Sequence, residues 1–325
     1  MKTAIIGTSW ITEKFISAAE KTEKYTFEAV CSRTAEKGTA FAQKYGIKKL
    51  YTSAEALAAD KSVESVYIAS PNVCHYPQSK YLLLHGKNVI CEKPASTKES
   101  EMAELTEIAE KNGLVYTEAI MSMYVPAFDR LKETLTEIGS IKTCNFVFCQ
   151  LSSKYPAYVR GENPNIFNPR LHTGCLADIG VYNVFLSAGL FGMPQRIVSH
   201  SSFLESGADG FGTAILDYGD KTVNLVYSKV GQSYSPSEII GDNGTVSVAS
   251  VSQLTGIKVI RDGKTQITVP HDLSRDEVMG AEASVFADAV NGNADAVKKV
   301  NEVNGVALTV RRICDVIRKQ NGFPF

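Results

Sequence analysis

The sequence predicts an α/β protein in which a doubly wound parallel sheet over residues 1–120 precedes an α/β domain, residues 121–325, with an open, mainly antiparallel sheet. Three observations carry this. Up to about residue 120 short β-branched runs alternate with helical patterns, the signature of βαβ units. From Arg196 onward strand-like runs follow one another, and Tyr218-Gly219-Asp220-Lys221 and Arg261-Asp262-Gly263-Lys264 supply hairpin chemistry. The length, 325 residues, suits two domains.

In the first domain the strands are read at Thr3–Gly7, Thr26–Cys31, Val66–Ala69, Asn88–Cys91 and Val115–Thr117. Between them Glu13–Lys21, Ala35–Tyr45, Pro77–His85 and Ser100–Asn112 place apolar residues three or four apart, and a short helix begins at Ser53. After Pro126 come a helix over Phe128–Leu135, a long strand over Ile141–Leu151 and a Pro/Asn/Arg-rich loop from Ser152 to Thr173, too long to be idle in a compact domain. Seven strands are then read, Ile197–Phe203, Gly212–Tyr218, Lys221–Lys229, Glu238–Ile240, Thr245–Val251, Ile257–Arg261 and Thr265–Val269, before helices over Glu277–Val290 and Asn304–Arg318.

The formal net charge is −1, with acidic and basic residues interspersed, so no electrostatic footprint for nucleic acid or an anionic membrane is present. A small-molecule substrate is expected. The apolar start is too short for a signal peptide, and the reading is of a cytoplasmic protein. Seven cysteines form no CxxC pair and read as reduced thiols. Cys74-His75 lacks further ligands at metal spacing, and no metal is expected.

Gly7-Thr8-Ser9-Trp10-Ile11-Thr12 follows the first strand, where a glycine-rich turn and a helix amino terminus hold a dinucleotide pyrophosphate. Only the first glycine is present. Ser9 stands where glycine lets the backbone approach the phosphates, and Thr12 where a small residue lets helix and strand pack closely. The second strand ends at Cys31-Ser32-Arg33. An NAD-specific site calls for an acidic residue there; Ser32 removes it, and Arg33 offers a bidentate partner for a 2′-phosphate. NADP is the expected cofactor, with NAD the alternative.

Two polar clusters end apolar runs at the carboxyl edge of the sheet, where ligands bind in such folds. They are Ser70-Pro71-Asn72-Val73-Cys74-His75 and Glu92-Lys93-Pro94. In Gly174–Tyr182, a helix from about Leu176 places Asp178 and Tyr182 four apart on one face of an otherwise apolar segment. An ammonium beside a phenol lowers the phenol pKa toward working pH. At ~4 Å and an effective dielectric of ~20 the attraction is about 4 kcal/mol before desolvation. Lys93 and Tyr182 are therefore read as an acid/base pair.

Taken together these segments resemble the glucose-fructose oxidoreductase, inositol dehydrogenase and rhizopine-catabolism (Gfo/Idh/MocA) family over nearly the whole chain. Ser70–His75 resembles its TPNxxH segment and Glu92-Lys93-Pro94 its EKP motif. Thr117-Glu118-Ala119 with Met121 and Pro126 is similar to its EAxM segment, and Asn165-Ile166-Phe167 followed by Gly174–Tyr182 to its NxF…GGALxDxGxY segment. The resemblance implies a Rossmann domain, a second domain whose open sheet mediates dimerisation, catalytic Lys93, and a substrate pocket of Lys93, Met121, Phe167, Asp178 and Tyr182. Cofactor contacts fall to Gly7, Thr8, Ser9, Trp10, Ile11, Ser32, Arg33, Ser70, Pro71, Asn72, His75, Glu92 and Lys93. Tyrosine at 182, where many members carry histidine, is similar to the dihydrodiol dehydrogenase and NADP-xylose dehydrogenase branch.

The function expected is hydride transfer between nicotinamide and a hydroxyl or carbonyl carbon of a sugar, cyclic polyol or dihydrodiol-like substrate, in a homodimer or dimer of dimers. Two departures bear on it: Ser9 and Trp10 alter the family's GxGxIA turn, and Cys175 replaces the second glycine of its GG pair. A non-catalytic nucleotide-binding sensor of the same fold is the alternative, supported by the altered turn and opposed by Lys93, Asp178 and Tyr182. Redox-assisted glycoside cleavage would use the same cofactor, but nothing in Ser152–Thr173 singles it out.

Overall fold

In a computed structural model describing residues 1–270 and 273–325, the chain forms two units, Met1–Tyr124 with Ser274–Leu308 and Val125–Leu273 with Thr309–Phe325. The sequence reading divides the chain once; here a later segment returns to the first unit.

The first unit begins β1 (Lys2–Ile6), α1 (Trp10–Glu20), β2 (Thr26–Cys31), α2 (Ala35–Tyr45), β3 (Lys49–Tyr51), α3 (Ala54–Ala58), β4 (Ser65–Ile68), α4 (His75–Leu84), β5 (Asn88–Glu92), α5 (Glu99–Lys111) and β6 (Tyr116–Ala119). All six strands are parallel, in the order β3-β2-β1-β4-β5-β6. The order reverses between β1 and β4, which opens a crevice at their carboxyl ends. Ile5, Val66, Tyr67, Ile68, Val89 and Ile90 are fully buried; unbroken apolar runs are what a sheet covered on both faces requires. Strand β3 is absent from the sequence reading. Its three half-buried edge residues are too few to show a period.

The second unit contains α6 (Pro126–Thr134), β7 (Ile141–Cys149), α7 (Tyr155–Val159), α8 (Val181–Phe191), β8 (Arg196–Phe203), β9 (Asp209–Asp217), β10 (Thr222–Ser228), β11 (Ser237–Gly241), β12 (Gly244–Val248), β13 (Lys258–Arg261) and β14 (Lys264–Thr268). Its eight strands lie in the order β14-β13-β12-β11-β7-β10-β9-β8. Every pairing is antiparallel except β7 with β10. One face is core: Cys144, Phe146, Ala214, Leu216, Val223, Leu225, Tyr227 and Ile239 are fully buried. The stretch Pro169–Phe191 is long and apolar enough to cross a membrane, yet 72% of its most apolar window is buried, which makes it a core segment.

The chain then returns to the first unit through α9 (Arg275–Val290) and enters α10 (Ala294–Asn321). A reciprocal cap starts α9: the Glu277 amide donates to Ser274 Oγ and the Ser274 amide to Glu277 Oε2. Asp276 pairs with Lys14 and Lys21, and Tyr25 Oη donates to the Ala283 carbonyl at 2.6 Å, which lays α9 along α1. Helix α10 starts at Ala294 rather than Asn304, because the Asn293 side chain accepts from the Ala296 amide and caps it there.

Candidate active site

In the first unit the carboxyl ends of β1, β4 and β5 carry the residues singled out from the sequence. Gly7 adopts φ +107°, and a Cβ on it would meet the Ala69 carbonyl oxygen at 2.4 Å. This turn accepts only glycine. Ser9, by contrast, has ordinary extended backbone and heads α1 without a side-chain cap. The first-turn amides of α1 are thus left without a side-chain acceptor, as an anion site requires. Thr12 is fully buried under that helix. Trp10 is exposed, with the Arg275 guanidinium over its ring. Ser32 is buried and Arg33 exposed at the end of β2. Arg33's charge reaches Cys74, whose thiol is raised by burial and partly relieved by the guanidinium. These features fit an NADP-type dinucleotide: a glycine turn, an uncapped helix start, and an exposed arginine where a ribose carboxylate partner would otherwise stand.

Behind Lys93 lies a network of buried carboxylates. Tyr67 Oη donates to Glu92 Oε1 at 2.7 Å, and the Ala95 amide donates to Glu118 Oε1 at 3.2 Å. Glu282, on the inward face of α9, is 2% exposed. Burial and the charges of Glu92 and Glu118 hold its carboxyl well above the usual range, and burial raises Glu92 as well. The Lys93–Pro94 peptide bond is cis. His75, expected at the cofactor, is buried, with Nδ1 at 2.9 Å from the Pro94 carbonyl and Nε2 at 2.7 Å from that of Ser70. It fastens the β4 and β5 loops to each other and has no ring nitrogen left for cofactor or metal. Burial pushes its pKa down, against the two carbonyls and the Glu118 charge.

In the second unit Leu176–Gly180 winds as a turn of π-helix running into α8. Such turns recur at functional sites. Asp178 lies within this π turn and Tyr182 in the first turn of α8, four residues on in one continuous helical segment. Four contacts fix the segment. Asp209 Oδ2 accepts from the Leu176 amide at 2.6 Å. Gly174, at φ +153°, leaves room for that carboxylate, which a Cβ would meet at 1.9 Å. Gly180 lies on the Tyr227 ring, 2.9 Å from where its Cβ would be. Asn183 Nδ2 donates to the carbonyls of Phe146 and Val226.

Asp178, so placed, pairs with Lys229, Nζ to Oδ2 at 2.7 Å, the lysine side chain being 10% and the aspartate side chain 27% exposed. Removing one partner of a largely buried pair leaves an uncompensated charge, at a cost of about 3–5 kcal/mol. Tyr182 is 8% exposed and meets the Phe148 ring edge-on at 5.8 Å. Cys175 is fully buried, and burial raises its thiol far above the reactive range. It fills the place of the second glycine as a small apolar residue. Phe167 and Met121, expected to touch substrate, are buried. Phe167 packs under Tyr155 and Tyr158 at 6.0 and 5.2 Å and supports their loop.

Lys229 went unmarked in the sequence reading. The signal was there: Val223, Leu225 and Tyr227 point inward with period two, and a lysine takes the next inward position.

Residues 1–120 match the family model described as "Oxidoreductase family, NAD-binding Rossmann fold", and residues 128–247 match the GFO/IDH/MocA C-terminal domain. The chain is 36% identical to an uncharacterized oxidoreductase, YgjR, of Escherichia coli (strain K12), covering 99% of this chain and 97% of that one. It is likewise 36% identical, with the same coverage, to scyllo-inositol 2-dehydrogenase (NADP(+)) IolU of Bacillus subtilis (strain 168). In structure it is similar to KijD10, a 3-ketoreductase from Actinomadura kijaniata in complex with NADP and TDP-benzene, with a TM-score of 0.85, 20% identity and 99% and 98% of the chains covered.

Asp209 supplies a stability test. Burial pushes its carboxyl from the ordinary 3.8 up to about 6. A raised acid stabilises the fold fully below its unfolded pKa and loses that contribution as pH rises through the folded one. The rise corresponds to roughly 3 kcal/mol. Thermal melts from pH 4 to 8 should therefore show the wild type losing stability relative to Asp209→Asn as pH rises, and parallel pH profiles would refute the assignment.

Proposed function

The chain belongs to the Gfo/Idh/MocA oxidoreductase family, and on that premise we propose that it is an NADP-dependent dehydrogenase or reductase acting on a CH–OH carbon of a sugar, cyclic polyol or dihydrodiol-like substrate. What supports the reading is a helical segment that carries Asp178 on its π turn and Tyr182 four residues on in α8, in a chain 36% identical over 99% of its length to an NADP-named inositol dehydrogenase. Gly7, Thr8, Ser9, Trp10, Ile11, Ser32, Arg33, Ser70, Pro71 and Asn72 would hold the dinucleotide, which when bound supplies or accepts a hydride. Glu92 and His75 serve it indirectly, by holding the loops that carry Lys93.

Tyr182 gives or takes the proton of the substrate hydroxyl at its phenol oxygen. Lys93 supplies an ammonium that orients the substrate oxygen. Asp178 accepts a hydrogen bond from a neighbouring substrate hydroxyl. The protein works as a cytoplasmic enzyme on a neutral carbohydrate-like molecule, with neither nucleic acid nor membrane as partner, in keeping with its formal charge of −1. A second copy covers the outer face of the second unit's sheet, where Val198 and Ile215 are register partners, Val226 pairs with Thr213, and all three apolar residues are more than 40% exposed.

With NADP(+) and a panel of inositols, aldoses and trans-dihydrodiols, Tyr182→Phe and Lys93→Ala should each abolish turnover while an NADPH fluorescence titration still saturates; wild-type rates in either variant refute the roles. Arg33→Ala should weaken NADP(H) binding about 10–100-fold, the value of a charge-assisted pair, and leave NAD(H) affinity in place. Sedimentation velocity should show Ile215→Lys as a monomer and the native chain as a dimer.

A further inference from the structure

Lys229 is the first residue after β10, and its backbone is held on both sides. Its amide donates to the Gly210 carbonyl at 2.9 Å, and its carbonyl accepts from the Ser152 amide at 2.9 Å. The residue is thereby held at the carboxyl end of a central strand, with only 10% of its side chain exposed. An ammonium carries three donors. One goes to Asp178 Oδ2 at 2.7 Å, and Asp178 is the only acceptor recorded for Lys229 Nζ among the described residues. A cation this far out of water with donors to spare is costly unless a polar group meets them.

The geometry points to a vicinal diol as that group: we infer that Lys229 is a substrate-binding, specificity-determining residue. Its ammonium donates to one hydroxyl oxygen of the substrate, and the hydroxyl on the adjacent carbon donates to the Asp178 carboxylate. The two heads sit side by side, one donor-only and one acceptor-only, as a pair of neighbouring hydroxyls does when one is read as acceptor and the other as donor. The pair is also neutral as a whole. A lone lysine would attract carboxylate or phosphate substrates, whereas Lys229 with its charge cancelled by Asp178 favours uncharged polyols. Charge and spacing thus select the same class. The inference rests on the dehydrogenase reading above and adds what it leaves open, the part of the substrate pattern that is read.

A site built to hydrogen-bond a hydroxyl rejects the analogue that lacks it, since its own polar groups are then stranded. The test pairs trans-1,2-cyclohexanediol with cyclohexanol, and D-glucose with 2-deoxy-D-glucose, in the native chain, Lys229→Met and Lys229→Arg. In the native chain kcat/KM should favour the diol on the order of a hundredfold. Lys229→Met should collapse that ratio, mainly through loss on the diol, and Lys229→Arg should keep most of it. A merely structural lysine would lower both rates alike and leave the ratio standing, which would overturn the inference, as would equal native rates on diol and mono-alcohol. Calorimetric titration of scyllo-inositol into each NADPH-saturated protein, which holds no hydride acceptor, reads the same contact without turnover. Weaker binding to Lys229→Met than to the native chain supports the inference, and equal affinity overturns it. Absence of turnover with every alcohol would overturn the dehydrogenase reading instead, so the two failures are separable.

Discussion

A buried carboxylate sets the chemistry of the second unit. Asp209 sits in the core with its pKa pushed up to about 6 and in return holds the Leu176 amide at 2.6 Å. Everything downstream depends on that bond. It requires glycine at 174, and it starts a π turn rather than an α turn, so that Gly180 can lie on Tyr227 and Asn183 can reach the carbonyls of β7 and β10. Only with the turn so seated does Asp178 meet Lys229. The cost of one buried acid is offset by the placement of a second, Asp178, against Lys229.

The first unit uses buried carboxylates in the same way. In the Glu92-Lys93-Pro94 segment the glutamate is the anchor. Glu92 accepts from Tyr67, whose ring stacks on Phe15 at 3.7 Å, so β5 and β4 share a side-chain bond under α1. Glu118 takes the Ala95 amide just past the cis peptide, and His75 ties the Pro94 and Ser70 carbonyls. The loop bearing Lys93 is therefore fastened from three elements. Glu282 adds a third carboxyl, held far above its ordinary pKa by burial and by the charges of Glu92 and Glu118.

What the sequence made legible follows from how local the causes are. The buried strands announce themselves as apolar runs, and α2 has the predicted bounds, because Gly46 in the left-handed region ends it where the periodicity stops. Strand β3 was hidden by brevity, the start of α10 by a cap from Asn293, and the parallel pairing of β7 with β10 by the distance between them in the chain. Motif order singled out Lys93, Asp178 and Tyr182, but motifs do not record what holds a residue. Thus nothing in the motifs shows that His75 sits between the Pro94 and Ser70 carbonyls or that Phe167 packs against Tyr158. Lys229 lay outside every motif and was visible only as a lysine in an apolar row.

The altered glycine turn gains a different meaning from the same distinction between fold and ligand. The family's fingerprint asks for several small residues, but the backbone here demands only one. Gly7 cannot be replaced, because its φ of +107° and the Ala69 carbonyl 2.4 Å from its absent Cβ forbid any side chain. Position 9 has ordinary extended angles, which serine adopts without strain, and Thr12 packs fully buried beneath α1. Position 175 accommodates cysteine in the same way, as buried volume. The departures therefore leave the fold intact; under the proposed function they would bear on how closely a pyrophosphate approaches Ser9, and the uncapped amides of α1 and the exposed guanidinium of Arg33 would carry more of the grip.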